Sequence, residues 1–210
     1  MPDQAVTSPL AMVNDALATL GEDPLTDLLA TSGSTNAAAA TIYDRTVETM
    51  LAQWNWRFAT MDCELSDLGV APPSPWTAQY NLPARTLRII GTNCPGEPYT
   101  IARNHDVLDD DGTRRLYAMR TGVRCRVIIR PLDELFPAHF VAALIAQLAY
   151  RLCKPVTGQS DPMLKAEAIE AMARAKVHDA HEAPPSRYVE SDPRMGGAYD
   201  SSLGVGLRFL

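Results

Sequence analysis

The chain has 210 residues, of which 46% are hydrophobic and 21% charged, with a formal net charge of -6. That length holds one substantial core, or one core with a smaller appended lobe, and the acidic balance excludes a simple polycationic nucleic-acid binder. The charge is uneven: between Arg85 and Arg130 there are nine Arg, no Lys and five acids, about +4 in all, which leaves about -10 on the rest of the chain. Such asymmetry fits charge-complementary packing of copies or partners, and equally a solvated Arg-rich sheet face.

The opening MPDQAVTSPLAMVNDAL has neither a basic region nor a continuous apolar stretch, so no signal peptide or membrane anchor is expected. Ser8 is a good N-cap and Pro9 suits a first helical position, which predicts a helix from there to Gly21 with a stripe of Leu10, Val13, Leu17 and Leu20. After the loop GEDPLTDL, a longer helix is predicted from about Ser34 to Arg57. Tyr43, Val47, Met50, Leu51, Trp54 and Phe58 recur along it at three-to-four-residue spacing. Trp54 and Trp56, two apart, fall on different sides, one for the core and the other for the helix end.

From about Phe58 to Pro131, Pro and Gly become frequent and apolar residues alternate with polar ones, the pattern of an inserted β-rich lobe. Its clearest strand is Val123 to Arg130: Val123, Cys125, Val127 and Ile129 take one face, and Arg124, Arg126, Ile128 and Arg130 the other. Tyr99 to Arg103 and Arg115 to Met119 flank the turn-rich NHDVLDDDGT and suggest a hairpin with a longer connection, and Trp76 to Ile90 supplies one or two further strands. A third helix is predicted from about Pro137 to Cys153, ended by Pro155 and Gly158. Asp161-Pro162 then opens a fourth, to about His181, with the slim stripe Leu164, Ala168, Met172 and Ala175.

The expected fold is α+β, a bundle of about four helices with an inserted antiparallel β-rich lobe. Residues 1–58 and 132–182 form the bundle, 59–131 the lobe, and 183–210 an extended tail. The tail carries Leu203, Val205, Leu207, Phe209 and Leu210, apolar residues that strand addition to a partner would use.

Signatures of chemistry are lacking. The chain contains no G-x-x-x-x-G-K-[ST], G-x-G-x-x-G, G-x-S-x-G or H-E-x-x-H, so no catalytic residue, cofactor or metal is assigned, and an enzyme is not expected. Asp109, Asp110, Asp111 and Gly112 lack the further oxygen ligands of a calcium loop and read as a solvated turn. His178 and His181, three apart at a helix end, suit the helix dipole better than a metal. His105 beside Asp106 has no identifiable nucleophile to serve. Cys63, Cys94, Cys125 and Cys153 form no C-x-x-C pair and read as reduced thiols in a protein made in a cytoplasm. The Arg cluster Arg114, Arg115, Arg120, Arg124, Arg126 and Arg130 suits carboxylate or phosphate partners. With Tyr117 the local aromatic, an acidic patch on a neighbouring subunit is favoured over nucleic acid.

Four segments resemble the tail tubular protein A family, the head-to-tail adaptors of short-tailed bacteriophages. VNDALATLGEDPLTDL (Val13 to Leu28) is similar to the family's short first helix and Pro-Leu turn. ETMLAQWNWRFAT (Glu48 to Thr60) resembles the close of its second helix, with Trp56, Phe58 and Ala59 in the aromatic signature. YNLPARTLRII (Tyr80 to Ile90) is similar to its Tyr-x-Leu-Pro strand, and LDELFPAHFVAALIAQLAYRL to the helix after the β-lobe. The resemblance implies a ring of about twelve copies at the head-tail junction of a virion, between a portal protein and a tail nozzle or tube protein, with DNA passing through without sequence-specific contact. It brings no catalytic residues. Candidate subunit or partner contacts are Arg124, Arg126 and Arg130 and the tail residues from Leu203 to Leu210. The rival reading is a nucleic-acid-binding accessory domain that uses the Arg-rich lobe. Deleting the residues after Ala183 is expected to leave the circular dichroism spectrum and melting unchanged while weakening assembly.

Overall fold

The computed structural model describes residues 8–28, 34–93, 99–102 and 115–182. Cys94, the NHDVLDDDGT segment with His105, Asp106 and Asp109 to Gly112, Arg114, and the whole stretch after Glu182, including Leu203 to Leu210, lie outside them. The fold is α+β, four helices with small antiparallel sheets inserted between the second and third. The elements are α1 (Pro9–Thr19), α2 (Ser34–Gln53), β1 (Thr60–Glu64), β2 (Ala78–Asn81), β3 (Thr86–Thr92), β4 (Tyr99–Ala102), β5 (Arg115–Ala118), β6 (Arg124–Ile129), α3 (Ala138–Thr157) and α4 (Pro162–His181).

Two compact units divide the chain. The first takes the described residues up to Asp62, Pro83–Ile90 and those from Arg126 on; the second takes Cys63–Leu82 and the described residues of 91–125. Residues 59–62, 83–90 and 126–131, assigned from sequence to the lobe, thus group with the helices. Leu87, Ile90 and the fully buried Ile128 explain this, since they pack on the helical core.

In the first unit α3 packs against each of the other three helices. Its apolar face, with Phe140, Leu144, Leu148 and Leu152, is wide enough to do so. Both predicted caps form: the Ser8 hydroxyl accepts from the Ala11 N–H at 3.2 Å, and Asp161 Oδ1 accepts from the Met163 N–H at 2.7 Å. The loop after α1 is held by one side chain, because Asn14 donates to the Leu25 carbonyl at 3.0 Å and accepts from the Leu25 N–H at 2.8 Å.

Two helix ends differ from the sequence expectation. Helix α3 runs through Pro155 to Thr157 and stops at Gly158, whose φ of 77° gives a left-handed cap and whose N–H donates to the Lys154 carbonyl. A proline there removes one hydrogen bond in the last turn, where the Thr157 hydroxyl also donates to the Cys153 carbonyl at 2.7 Å. Helix α2 stops at Gln53, before Arg57, and just beyond its end Trp56 enters the core. Its indole N–H donates to the Met50 carbonyl at 2.7 Å, satisfying an acceptor that the ended helix leaves open. Trp54, placed on the apolar stripe by helical spacing, is instead 38% exposed with the Lys176 ammonium 5.5 Å from its ring centre.

Trp56 then joins an aromatic cluster centred on Phe140. Ring centres lie 5.0 Å away for Trp56 and Phe58 and 4.9 Å away for Phe136, in edge-on or tilted orientations that π-quadrupoles favour. Below it, the buried Asp179 of α4 accepts from the Trp54 indole N–H at 3.3 Å and from the Arg57 backbone N–H at 3.1 Å, tying the segment after α2 to α4.

The sheet of order β1-β6-β3 is antiparallel, since hydrogen bonds join Arg85 to Arg130 at one end of the β3–β6 pair and Asn93 to Arg124 at the other. In the second unit β5 stands between β2 and β4, antiparallel to both, with Tyr80 opposite Leu116 and Tyr99 opposite Ala118. The β4–β5 pair is the hairpin partnership that the sequence suggests; its connection falls outside the described residues. Strand β1 was not singled out from sequence, because TMDCE lacks the apolar alternation that marks a strand.

Replacing Trp56 by Ala is expected to destabilise the chain by about 3–5 kcal/mol, through the cavity and the lost indole donor. Asp179→Ala is expected to cost about 1–3 kcal/mol by leaving a backbone N–H without its acceptor. Urea denaturation followed by tryptophan fluorescence measures both.

Candidate interaction surfaces and a histidine–carboxylate cluster

The arginine face of β6 is the first candidate. Arg126 meets Asp62 of β1 in a two-pronged contact, Nε to Oδ1 at 2.7 Å and Nη2 to Oδ2 at 2.9 Å. Two residues along the same pair of strands, Arg124 Nη2 lies 3.5 Å from Glu64 Oε1. Asp62 and Glu64 on one strand thus answer Arg126 and Arg124 on the next, the cross-strand analogue of helical charge pairing. The Asp-x-Glu of β1 and the Arg-x-Arg of β6 are both plain in the sequence, and pairing the two strands would have been needed to join them.

Arg130, the third candidate, is only 21% exposed and faces three acids. Its Nη2 is 2.7 Å from Asp44 Oδ1 and 3.9 Å from Asp133 Oδ1, and Nη1 is 3.8 Å from Glu48 Oε1. Asp44 and Glu48 are one turn apart on α2 and present their carboxylates together. Burial by itself would lower the Arg130 pKa, but the Asp44 hydrogen bond and the surrounding acids raise it above the ordinary value. Burial raises the Asp133 pKa, and Arg130 pulls it the other way. The Tyr43 phenol is pushed well above its ordinary range, first by burial and then by the Asp133 charge.

Arg124, Arg126 and Arg130 therefore each have acidic partners within their own chain. The pairs of Arg124 and Arg126 are largely exposed, a class worth about 0–1 kcal/mol each, so their effect is chiefly on register and on local field. The tail residues Leu203, Val205, Leu207, Phe209 and Leu210 lie outside the described residues.

The outer face of α4 is a second candidate, unnoticed in the sequence. The residues facing the core are Ala168, Met172, Ala175 and Asp179. On the opposite side Met163, Ala166, Ile169, Ala173, Val177 and Ala180 are all exposed, and at 3.6 residues per turn they share a sector roughly 120° wide, which also holds the exposed Glu170. Met163, Ile169 and Val177 are 74%, 60% and 57% exposed. The same helical spacing that marks the core stripe marks this second one in the sequence.

The third candidate joins the start of α3 to the end of α4. His139, His178 and Glu182 bring one ligand atom each within 4.8 Å of one another. Glu182 Oε1 lies 3.4 Å from His178 Nδ1 and 3.9 Å from His139 Nδ1, and the two imidazoles stack with ring centres 4.7 Å apart. The His139 side chain is 9% exposed, its ring lies against Trp56, and its Nε2 is buried with no hydrogen-bond partner. Burial lowers its pKa, opposed by Glu182. The sequence pairs His178 with His181; the fold pairs it with His139, which lies 39 positions earlier and which no local spacing could indicate.

Among the described residues Cys63, Cys125 and Cys153 form no disulfide, and no helix is long and apolar enough to cross a membrane. Compared with known proteins, the chain matches no protein-family profile and no curated protein.

The Arg126 hydrogen bond holds the Asp62 carboxyl below its ordinary pKa, against a smaller effect of burial. A depressed folded-state pKa means stabilisation that is present above the unfolded value of about 3.9 and is lost as pH falls through the folded value. A carboxyl-detected NMR titration is expected to show an Asp62 midpoint below that of an isolated Asp, and Arg126→Gln is expected to return it towards the ordinary value.

Proposed function

We propose that the chain is a structural head-to-tail adaptor of a tailed bacteriophage, assembling as a ring between portal and tail and performing no catalysis. The observation that carries this reading is helix α4, apolar on both sides, with one side buried in its own unit and the other left to solvent. A helix that is hydrophobic on opposite faces is suited to an interior position, and the outer stripe supplies that position once a second copy of the chain packs against it. The small Ala166 and Ala173 between the larger Met163, Ile169 and Val177 allow close approach of a neighbouring helix.

The element order supports the same reading, since helices flank a β-rich insert as the resemblance to tail tubular protein A adaptors implies. The portal, the nozzle or tube protein and the passing DNA come from that resemblance alone. The internal pairing of Arg124, Arg126 and Arg130 favours the adaptor over the nucleic-acid reading, because a strand whose guanidinium groups already hold carboxylates offers less to phosphates. Ring formation is expected to depend on portal binding, which supplies the template on which copies are brought together.

Native mass spectrometry of the purified chain, alone and with the portal protein of the same genome, tests the proposal. Ring-sized complexes are expected with the portal, and an Ile169→Glu, Val177→Glu double variant is expected to keep its circular dichroism spectrum while losing them. A chain that stays monomeric with the portal but shifts with DNA, in a manner weakened by salt and by Arg126→Ala, would replace the adaptor with the nucleic-acid reading.

A further inference from the structure

We propose that His139, His178 and Glu182 form a binding site for one divalent transition-metal ion of the zinc class, closing the start of α3 onto the end of α4. Two imidazoles and a carboxylate are a donor set that suits Zn²⁺, Co²⁺ or Ni²⁺, and three protein ligands leave a fourth position for water. Bonds of about 2.0 Å in a tetrahedron put donor atoms roughly 3.3 Å apart. The 3.4 Å and 3.9 Å separations from Glu182 Oε1 approach that edge.

The ligands come from complementary settings. His139 is fixed, its side chain nearly buried and its ring held against Trp56. His178 and Glu182, one turn apart at the close of α4, are more than half exposed and can rotate onto a shared ion. That i, i+4 spacing places two side chains on one helix face, which is how helical metal pairs are built.

A second observation points to a ligand. The His139 Nδ1 stands 3.9 Å from its nearest carboxylate oxygen, beyond hydrogen-bond reach, and Nε2 is buried without a partner. A nine-tenths buried imidazole whose Nδ1 faces a carboxylate just out of hydrogen-bond reach stands to gain from an ion placed between them. A metal ion at Nδ1 satisfies one nitrogen and joins the two helix ends, which residues 139 and 178 reach from far apart in sequence. The site is independent of the adaptor reading, since all three ligands belong to one chain.

The test uses the full-length chain, stripped with a chelator, then titrated with Zn²⁺ by calorimetry and with Co²⁺ by absorption spectroscopy. One equivalent is expected, with the visible bands of four-coordinate Co²⁺ and a rise in melting temperature on adding Zn²⁺. His178→Asn and Glu182→Gln, both at exposed positions that leave the core intact, are each expected to weaken binding at least about tenfold and to abolish the melting shift. His139→Gln is expected to do the same. His181→Asn is expected to change nothing. The proposal is overturned if the folded chain takes up no ion, or if binding persists in the His178→Asn and Glu182→Gln variants, which would make the uptake a property of other surface groups.

Discussion

Asp179 carries its carboxyl group into a site only 2% exposed, and the helical unit depends on what that group accepts. A buried polar group without hydrogen-bond partners is costly, so both of its oxygens need donors. Here one accepts from a backbone N–H of the segment after α2 and the other from an indole N–H. These bonds fix the path of residues 54 to 57, and that path delivers Trp56 to the core. With Trp56 in place, Phe58, Phe136 and Phe140 have a partner surface, and α3 gains the contact that anchors its first turn.

The four helices were legible because their signals are local. Ser8-Pro9 and Asp161-Pro162 mark starts through chemistry confined to three residues, and apolar spacing reports the faces of α1 and α3 directly. The end of α2 was not legible, since periodicity continues through Trp54 and Phe58 while the structure abandons it. Just beyond the helix end the Arg57 N–H is held by a carboxylate 122 positions away, a partner that no local pattern indicates. Strand β1 was missed for a related reason: its residues are chosen for their partners on β6 rather than for an apolar face.

The candidate sites divide along the same line. The arginine strand was visible as a strand, and its acidic counterparts were visible as letters, but only pairing of β1 with β6 shows that they belong together. His178 was visible and its companion was not, because α3 and α4 bring their opposite ends together only on folding. The outer stripe of α4 is present in the sequence, but one apolar face is enough to account for an ordinary helix, so a second does not stand out from spacing alone.

The alternation of Asp62 and Glu64 against Arg126 and Arg124 also determines what the sheet will refuse. Strand β1 is an outer strand in the order β1-β6-β3, and outer strands leave half their backbone groups open to any passing chain. Two molecules meeting through their β1 strands would bring carboxylates against carboxylates, and a shift of one residue against β6 would set Arg126 opposite Met61 or Cys63. The charges that add little to stability therefore act as an address, admitting β6 in one register and turning away copies of β1. A strand edge that rejects its own kind leaves the backbone of β1 to β6 alone, and any association of copies to other surfaces.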